Sequence, residues 1–382
     1  MEFLGYRRED GGVGVRNHVA IIPAMPYALP VARAIVQYVK GTTLVEHLNG
    51  RGQSADDLEF TFRTLEGVAR NGNVGATLVV GFEPTGPAKL AERISASGKP
   101  VDQLAIVGQG SLRTLERGAR LASQMVQHVS RTAPEPFDAA ELFVGAECGG
   151  SDATSGIVSN PALGGAMDRL VERGGTVTFN EVQEIIGAEA GLAERAANEG
   201  VARRIYEITE KAVFEARAAG VDITEANPAP DNVAGGITTL EEKSLGAVQK
   251  GGTTTVQSVL DFGEAPSCPG LHVMDAPAPA AESMAAMAAA GCQIIVFTTG
   301  KGNPSGTPVV PVLKVSANPQ TVVDSADNID VDLSDVITQG TTLETAASRI
   351  WDEIVAVGRG MRTKAEILGH DEFNITRIGP SL

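Results

Sequence analysis

Four side chains that could take part in acid, base or metal chemistry lie within a six-residue stretch of this sequence: Glu147, Cys148, Ser151 and Asp152. An apolar run at 142–145 predicts a buried strand before them. The two glycines between them therefore fall at a strand-to-helix junction, where backbone N–H groups bind anions. A carboxylate or thiol can transfer a proton, and two carboxylates can bind a divalent ion.

From this stretch we predict three catalytic residues, which are Glu147, Cys148 and Asp152. Glu147 and Asp152 are also the candidate metal ligands, and Ser151 is a candidate for substrate binding. The structural alternative is a tight turn in which Ser151 or Asp152 caps the following helix.

Lys243 is the candidate catalytic cation of a second polar segment, which follows two glycines at 235 and 236. Together with Lys250 it could face a substrate carboxylate, because an ammonium group stabilises negative charge that develops in a reaction. The same segment also fits a capping box, since Glu242 follows three residues after Thr239. The sequence leaves both interpretations open.

A third polar segment follows an apolar run at 294–297, which predicts another buried strand. Thr298, Thr299 and Lys301 come directly after this run, at the end of a strand where ligands of α/β sheets bind. The spacing is not that of a P-loop, so a nucleotide-binding role is not expected. We predict that all three residues bind the substrate carboxylate.

Two acidic residues, Glu181 and Glu184, follow a predicted strand at 176–179. Their spacing would place them on one side of a helix, where two carboxylates could bind a divalent ion. A solvated helix face explains the same pattern equally well. The five histidines show none of the paired spacings that are typical of zinc sites.

The elements that would position these residues alternate between strands and helices. Such alternation predicts a doubly wound parallel sheet. The proline-rich stretch 131–138 indicates a domain boundary, so we expect a Rossmann-like α/β domain at 1–134 and a second α/β domain at 135–382, which carries all three polar segments. A long helix is predicted at 191–219. The strands predicted for the first domain lie at 19–22, 42–45, 76–80 and 104–107.

The composition excludes several classes of protein. The 382-residue chain has a formal net charge of −16 and no cluster of Lys and Arg, so it lacks the basic face of a nucleic-acid-binding protein. Its three cysteines form no CxxC pair. Because we find neither a signal peptide nor an apolar stretch of membrane-spanning length, we expect a cytoplasmic protein without a membrane partner.

In this order, the motifs resemble the large, C-terminal part of the altronate/galactarate dehydratase family, which includes the large subunit of sulfolactate sulfo-lyase. The resemblance covers nearly the whole chain. The matching stretches are GYRREDGGVGVRN at 5–17, ECGGSDATSGIVSNPALGG at 147–165, GAE at 187–189, AGGITTLEEKSLGAVQKGGT at 234–253, GLHVMDAP at 270–277 and FTTGKGNPSGTPVVPVLKVSAN at 297–318.

The resemblance implies a hydro-lyase that eliminates across C2 and C3 of a small sugar acid or other 2-hydroxy acid. Clustered cations or a divalent ion such as Fe²⁺, Mn²⁺ or Mg²⁺ would stabilise the enediolate that forms. Arg16 and Asn17, in the first matching stretch, are expected to close the site around the substrate. We also expect a homo-oligomer. The chain is expected either to act together with a small SAF-like partner subunit or to act without one.

The chain departs from the family pattern in three loops. Where family members carry a cysteine, it has Pro-Tyr-Ala at 26–28, Leu-Asn-Gly-Arg at 48–51 and Gly-Phe-Glu at 81–83. Without these three thiols an iron–sulfur cluster is not expected. His47 and Arg51 remain candidates for substrate binding, because an arginine offers planar, bidentate recognition of an anion.

Two alternatives to a hydro-lyase stay open. One is a sulfo-lyase large subunit that acts on sulfolactate, from which sulfite leaves unaided, whereas hydroxide needs a general acid or a metal ion. The other is a divergent paralogue that lost the family chemistry with the cysteines, and that binds a different anion through Arg51 or has a non-catalytic role.

Overall fold

The computed structural model describes residues 3–382, and the chain begins with an antiparallel pair, β1 (Phe3–Arg7) and β2 (Val13–Gly14). A first parallel sheet and its helices follow. The strands are β3 (His18–Pro23), β4 (Thr42–Leu44), β5 (Val74–Gly81) and β6 (Val101–Ala105), and the helices are α1 (Leu29–Tyr38), α2 (Ala55–Arg70), α3 (Thr85–Ser95) and α4 (Gly110–Val129). The strand order is β4–β3–β5–β6.

The strands of this sheet have the burial that their sequences predict. Every residue of β5 is buried, and so is every residue of β3 except His18. Such continuously apolar strands are typical of parallel sheets that are covered on both faces. All four predicted strands of the first domain are present, each within three residues of its predicted ends.

A small three-stranded sheet connects the N-terminal arm with the start of the second domain. Strand β7 (Glu135–Phe137) pairs antiparallel with β1, and Phe3 on β1 packs edge-to-face against Trp351. Val13 belongs to the same hydrophobic core as the strands of the second sheet. The N-terminal arm therefore packs on the second core, although the sequence assigns it to the first domain.

The second sheet has seven strands, and all of them are parallel. They are β8 (Phe143–Cys148), β9 (Thr176–Phe179), β10 (Val256–Leu260), β11 (Gly270–Met274), β12 (Ile294–Thr298), β13 (Val312–Ser316) and β14 (Val331–Asp332). Their order is β10–β11–β9–β8–β12–β13–β14. The predicted α/β class with parallel sheets is confirmed.

Eleven further helices cover the second sheet and the end of the described chain. They are α5 (Asn160–Glu172), α6 (Glu189–Glu194), α7 (Glu199–Ala218), α8 (Ile223–Ala226), α9 (Pro230–Ala234), α10 (Leu240–Ala247), α11 (Ala280–Ala290), α12 (Pro319–Asp324), α13 (Asp335–Gln339), α14 (Leu343–Gly358) and α15 (Lys364–Leu368). One turn of π-helix, Ser155–Ser159, leads into α5.

The sheet order creates a switch point beside β8. The chain leaves β8 to form β9 on one side, and β12 later adds on the other side. In open α/β sheets, ligands bind at such a point, outside the carboxyl ends of the strands. Two of the predicted polar segments therefore meet there, the one after β8 and the one after β12.

The single long helix predicted at 191–219 is wrong, because the chain breaks between α6 and α7. At the break Ala196 forms a bridge with Val256, and the Arg195 guanidinium donates hydrogen bonds to the carbonyl oxygens of Gly252 and Thr254. The Asn198 side chain then caps α7 by accepting from two backbone amides. Tertiary bonds to strand β10 thus override a continuous helical pattern.

The two parallel sheets are joined by close helix packing. Helix α2 of the first sheet lies on α11 of the second, and a Cβ atom on Gly67 would lie 2.5 Å from the Ala289 carbonyl oxygen. The Asn71 amide donates to the carbonyl oxygens of Ala288 and Cys292. Within residues 3–382, none of the helices has the length and apolarity needed to span a bilayer.

Candidate active site

Five residues, four of them buried, converge beyond the carboxyl ends of β8 and β9. Cys148 is the last residue of β8, and Glu181 and Glu184 lie in the turn that follows β9. Lys243 comes from α10 and Lys250 from the 3-10 turn that continues it. We call these five residues the acid–lysine cluster. All but Lys243 have less than a tenth of their surface exposed.

Hydrogen bonds and ion pairs connect every member of the acid–lysine cluster. Lys250 Nζ lies 2.5 Å from Glu181 Oε2 and 3.0 Å from Cys148 Sγ. The Cys148 thiol donates to Glu184 Oε2 at 3.1 Å, and Lys243 Nζ lies 2.9 Å from Glu184 Oε1. The Cys148 amide also donates to Glu181 Oε2 at 3.1 Å. The side chains thus form one continuous network.

The two carboxyl groups of this network ionise differently. Burial raises the pKa of Glu181 to about 7, although Lys250 acts in the opposite direction. Burial also opposes the ionisation of Glu184, but the ammonium groups of Lys243 and Lys250 outweigh it and lower the pKa of Glu184. Two acids with separated pKa values in one site are the usual arrangement for acid–base catalysis.

The thiol and the central lysine keep their protons. Burial raises the pKa of the Cys148 thiol well above its ordinary value, and the neighbouring carboxylates add to this effect. Burial would lower the pKa of Lys250, but the carboxylates of Glu181 and Glu184 raise it further than burial lowers it. The cluster therefore contains a neutral thiol and a permanent cation.

The ligand atoms of Cys148, Glu181 and Glu184 lie within 4.8 Å of one another, close enough to contact a single metal ion. A thiol and two carboxylates suit ions such as Fe²⁺ or Mn²⁺. However, Lys250 and Lys243 already contact these atoms, and two ammonium groups balance two carboxylates. In this arrangement the residues do not fit a metal ion, because a lysine occupies the position of the cation.

Glu147 precedes Cys148 on β8, so its side chain points to the opposite face of the sheet. Its Oε2 atom contacts the hydroxyl group of Ser283 on α11, and its side chain is completely buried. Burial raises the pKa of Glu147 well above its ordinary value. The predicted metal pair of Glu147 and Asp152 is not among the residues whose ligand atoms converge in the described chain.

Asp152 holds together the loops that follow three strands. Its Oδ1 atom accepts from the Ser155 amide at 3.1 Å and from the Thr154 hydroxyl at 2.6 Å, and its Oδ2 atom accepts from the Asn318 amide at 2.6 Å. Its carboxyl group also packs on Gly300. These are the contacts of the capping alternative, extended to neighbouring loops.

The predicted substrate-binding residues after β12 have different surroundings. Thr298 donates its hydroxyl hydrogen to Asn160 Oδ1 at 2.5 Å, and the Thr299 hydroxyl accepts from the amides of Gly302 and Asn303 at 3.0 Å. Both threonines are fully buried and stabilise the loop, whereas Lys301 is exposed.

Four further candidates lie outside the acid–lysine cluster. Arg16 forms a two-point ion pair with Glu366, and Asn17 donates to the Val129 carbonyl oxygen. His47 is buried at the end of the first sheet, where Nδ1 accepts from the Asn49 amide and Nε2 therefore donates to Pro23. Burial lowers the pKa of His47 to about 4, so its ring is neutral.

Arg51 lies at the same edge of the first sheet as His47. Its guanidinium group is about half exposed, lies 3.5 Å from Glu83 and stands over the ring of Tyr27. Tyr27 in turn packs edge-to-face on Phe82. The three loops in which the chain departs from the family pattern thus do meet, around an ion pair and two aromatic rings.

A cavity of about 450 Å³ borders the acid–lysine cluster on the side of α10. Ser151, Asp152 and Lys243, three of the predicted site residues, line it together with Asn160. Lys243 is the only cluster member in its wall, so this lysine connects the cavity with the buried acids.

Residues 227–236, which we call the cover segment, lie between the loop after β8, which lines the cavity, and the two acids of the cluster. Asn227 donates to the Gln183 carbonyl oxygen, and Asn232 donates to that of Ser151. The amide oxygens of both asparagines accept from Lys243, at 2.7 and 3.2 Å. Lys243 is therefore bound to the cover segment and to Glu184 at once.

The sequence predicted two members of the cluster as catalytic, Cys148 and Lys243. The residue spacing also indicated Glu181, Glu184 and Lys250 as candidates, but it did not place them beside Cys148. The interpretation of the two acids as a solvated helix face is wrong, because both are buried in a 3-10 turn. Adjacency of β8 and β9, which brings them to Cys148, is the signal that spacing alone does not contain.

Comparison with known proteins shows the family to which the chain belongs. The family model for the second domain of D-galactarate dehydratase/altronate hydrolase matches residues 5–130, and that for the C-terminal part of D-galactarate/altronate dehydratase matches residues 139–381. The chain is 41% identical to the (2R)-sulfolactate sulfo-lyase subunit beta of Chromohalobacter salexigens, over 98% of this chain and 97% of that protein.

Two relatives from Escherichia coli are longer than the matched region. The altronate dehydratase is 33% identical over 99% of this chain and 78% of its own length. The galactarate dehydratase (L-threo-forming) is 31% identical over 94% of this chain and 73% of its own length. The two family models and these relatives agree, and the chain belongs to the altronate/galactarate dehydratase family.

Proposed function

We propose that this chain is a lyase that eliminates across C2 and C3 of a small 2-hydroxy acid, with the acid–lysine cluster as its reaction centre. The observation that carries the proposal is the pair Glu181 and Glu184, whose pKa values are driven apart beside two ammonium groups. Such an elimination needs a base that is partly ionised at neutral pH and a cationic site for the enediolate.

Four of the five cluster residues act directly in this reaction. Glu181 removes the C2 proton, because a pKa of about 7 makes it both ionised and basic near neutral pH. Lys250 stabilises the enediolate, and Lys243 together with Ser151 binds the substrate carboxylate at the cavity. Cys148 keeps its proton and can donate it to a departing hydroxide.

Two leaving groups are consistent with this centre. The family relationship and the dehydratase relatives favour hydroxide leaving from a sugar acid such as altronate or galactarate. Sulfite leaving from sulfolactate is favoured by the 41% identity to a sulfo-lyase subunit over nearly its full length. Both reactions give an enol that becomes a 2-oxo acid, so both use the same base.

A partner subunit is part of the proposal. The sulfolactate sulfo-lyase relative is named a subunit, which implies a second chain in that enzyme. We propose a small SAF-like subunit for this chain as well, together with self-association into a homo-oligomer. The chain can be co-expressed with the proteins encoded beside it and purified. The mass of the purified complex then tests both the partner subunit and the homo-oligomer.

A divalent ion would join the reaction only by displacing a lysine. We propose that Lys250 and a metal ion compete for Cys148 and Glu181, because the ammonium group occupies the position between them. Calorimetric titration with Mn²⁺ should show tighter binding to Lys250→Met than to the unchanged chain. Equal affinities would argue against a metal site in the cluster.

The decisive experiment measures 2-oxo acid and sulfite release from altronate, galactarate and sulfolactate. We expect Glu181→Gln to lower kcat about a hundredfold to ten-thousandfold, the usual contribution of a general base. Glu210→Gln on the exposed side of α7 is the matched control and should change nothing. A fully active Glu181→Gln variant would exclude the acid–lysine cluster as the reaction centre.

A further inference from the structure

Glu181 has an unusual backbone conformation. Among residues 3–382 it is the only residue other than glycine with a positive φ, and its angles are φ 71° and ψ 60°. The left-handed region is unfavourable for a residue with a Cβ atom, and it persists where neighbouring groups over-determine it. Some part of the structure must therefore hold this residue.

The residue before Glu181 is held at both ends of its amide side chain. Asn180 Nδ2 donates to the Ser283 carbonyl oxygen at 3.0 Å, and Asn180 Oδ1 lies 2.8 Å from the Ser283 hydroxyl. Both bonds go to one residue of α11. Because the amide nitrogen is used by the carbonyl, the oxygen of Asn180 must accept from the hydroxyl group.

The Ser283 hydroxyl also contacts Glu147 Oε2. A serine hydroxyl has one hydrogen, and here that hydrogen is given to Asn180. The contact with Glu147 is then a hydrogen bond only if the carboxyl group is the donor. The bonds therefore run in one direction, from Glu147 to Ser283 to Asn180, and Glu147 carries a proton.

The other buried groups near Glu147 agree with a neutral acid. Glu147 Oε1 has no hydrogen-bond partner in the described chain, which would leave an ionised carboxylate half uncompensated. Glu147, Phe297 and Lys314 lie side by side across β8, β12 and β13. Lys314 Nζ is buried without a hydrogen-bond partner, 3.5 Å from the centre of the Phe297 ring, and so supplies no ion pair.

We propose that protonated Glu147, Ser283 and Asn180 are positioning residues, which hold Glu181 in its left-handed conformation and so aim its carboxylate at the C2 proton of the substrate. The role in catalysis rests on the proposed function. The three residues touch no substrate in this scheme and act through the backbone of Glu181. The hydrogen bonds connect β8, α11 and the turn after β9 behind the cluster.

The test combines kinetics with crystallography of three variants. Ser283→Ala removes the central hydroxyl within a helix that tolerates alanine, and we expect kcat to fall about tenfold to a hundredfold, as for a misplaced catalytic group. KM should stay nearly constant, because the cavity residues are unchanged. In the crystal structure of this variant we expect Glu181 to leave the left-handed region.

Glu147 offers a matched pair of variants. Glu147→Gln retains a donor toward Ser283 and should stay close to the unchanged protein in kcat, whereas Glu147→Met has similar length but no donor and should behave like Ser283→Ala. Equal losses in both Glu147 variants would overturn the proton assignment. A Ser283→Ala protein with unchanged kcat and an unchanged Glu181 φ would overturn the positioning role.

The structural measurement separates this inference from the proposed lyase activity. If no 2-hydroxy acid is converted, the proposed function fails, and the φ of Glu181 in Ser283→Ala still decides whether Ser283 holds it. If the lyase is active and φ does not change, only the positioning role fails.

Discussion

Glu147, Glu181 and Glu184 are three buried carboxyl groups with three different ionisation states. Burial raises the pKa of Glu147 well above its ordinary value, and the nearby carboxylate of Glu181 adds to this effect, so Glu147 keeps its proton. Glu184 is surrounded by Lys243, Lys250 and the Cys148 thiol, and it is ionised. Glu181 lies between these cases, since burial and Lys250 oppose each other. The neighbours of each group, and not its residue type, determine its chemistry.

The pH dependence of the reaction follows from Glu181. A general base must be ionised, so we expect kcat/KM to fall as the pH drops below about 7. Lys250 lowers the pKa of Glu181, and Lys250→Met should therefore move this limb of the profile to higher pH. A limb that stays in place in the variant would show that another group is the base.

Lys314 gives a prediction for stability. Burial lowers the pKa of Lys314 well below 10.5, so the folded protein releases this proton at a lower pH than the unfolded chain does. Lys314→Met should raise the free energy of unfolding at neutral pH by about 1–3 kcal/mol, the cost of a buried polar group without a partner. Urea unfolding at several pH values measures this gain.

The sign of the pH effect provides the control. Because the unfolded chain binds more protons than the folded one, the unchanged protein gains stability as the pH rises toward 10.5. The advantage of Lys314→Met should therefore shrink over the same range. An advantage that is independent of pH would mean that folding does not lower the pKa of Lys314.

At the scale of elements, strands were predicted better than helices and sites. The runs at 176–179 and 294–297 are strands because their apolar residues leave no alternative to burial. The helix at 191–219 was predicted unbroken, because bonds between Arg195 and the β10 region are not visible in a periodicity. Similarly, Glu181 and Glu184 look solvent-exposed until the sheet order places them beside Cys148.

The packing of α2 on α11 can be tested with two glycines. A Cβ atom at Gly67 would lie 2.5 Å from the Ala289 carbonyl oxygen, so Gly67→Ala forces the helices apart and should cost about 1–3 kcal/mol of stability. Gly86 in α3 has open space around it. Gly86→Ala should stabilise the protein slightly, and thermal unfolding of both variants distinguishes packing from helix propensity.

At the scale of the whole molecule, the beginning and the end of the described chain meet. The guanidinium group of Arg16 binds Glu366 at two points and also donates to the carbonyl oxygens of Val357 and Met361. On the other side, Arg377 reaches Asp57 and Gly52 of the first domain. These contacts, together with the packing of α2 on α11, connect the two parallel sheets into one body.

Arg16 was predicted to bind substrate, and its contacts suggest a different experimental result. Arg16→Met should lower the free energy of unfolding by about 3–5 kcal/mol, since it strands a partly buried carboxylate. Arg362 is exposed and lines a surface cavity together with Arg16 and Glu366, and Arg362→Met should have little effect. If Arg16→Met raises KM but leaves stability unchanged, the original prediction is correct.

The cover segment controls the access of substrate to the proposed reaction centre. A substrate in the cavity meets Lys243 first, and Lys243 is bound to Asn227 and Asn232 as well as to Glu184. In the proposed reaction, these few bonds must break before a substrate reaches the acids behind them, and they must form again after each cycle. We expect the opening of the cover segment, and not the chemical step, to limit turnover. The value of kcat should therefore fall as the viscosity of the solution rises.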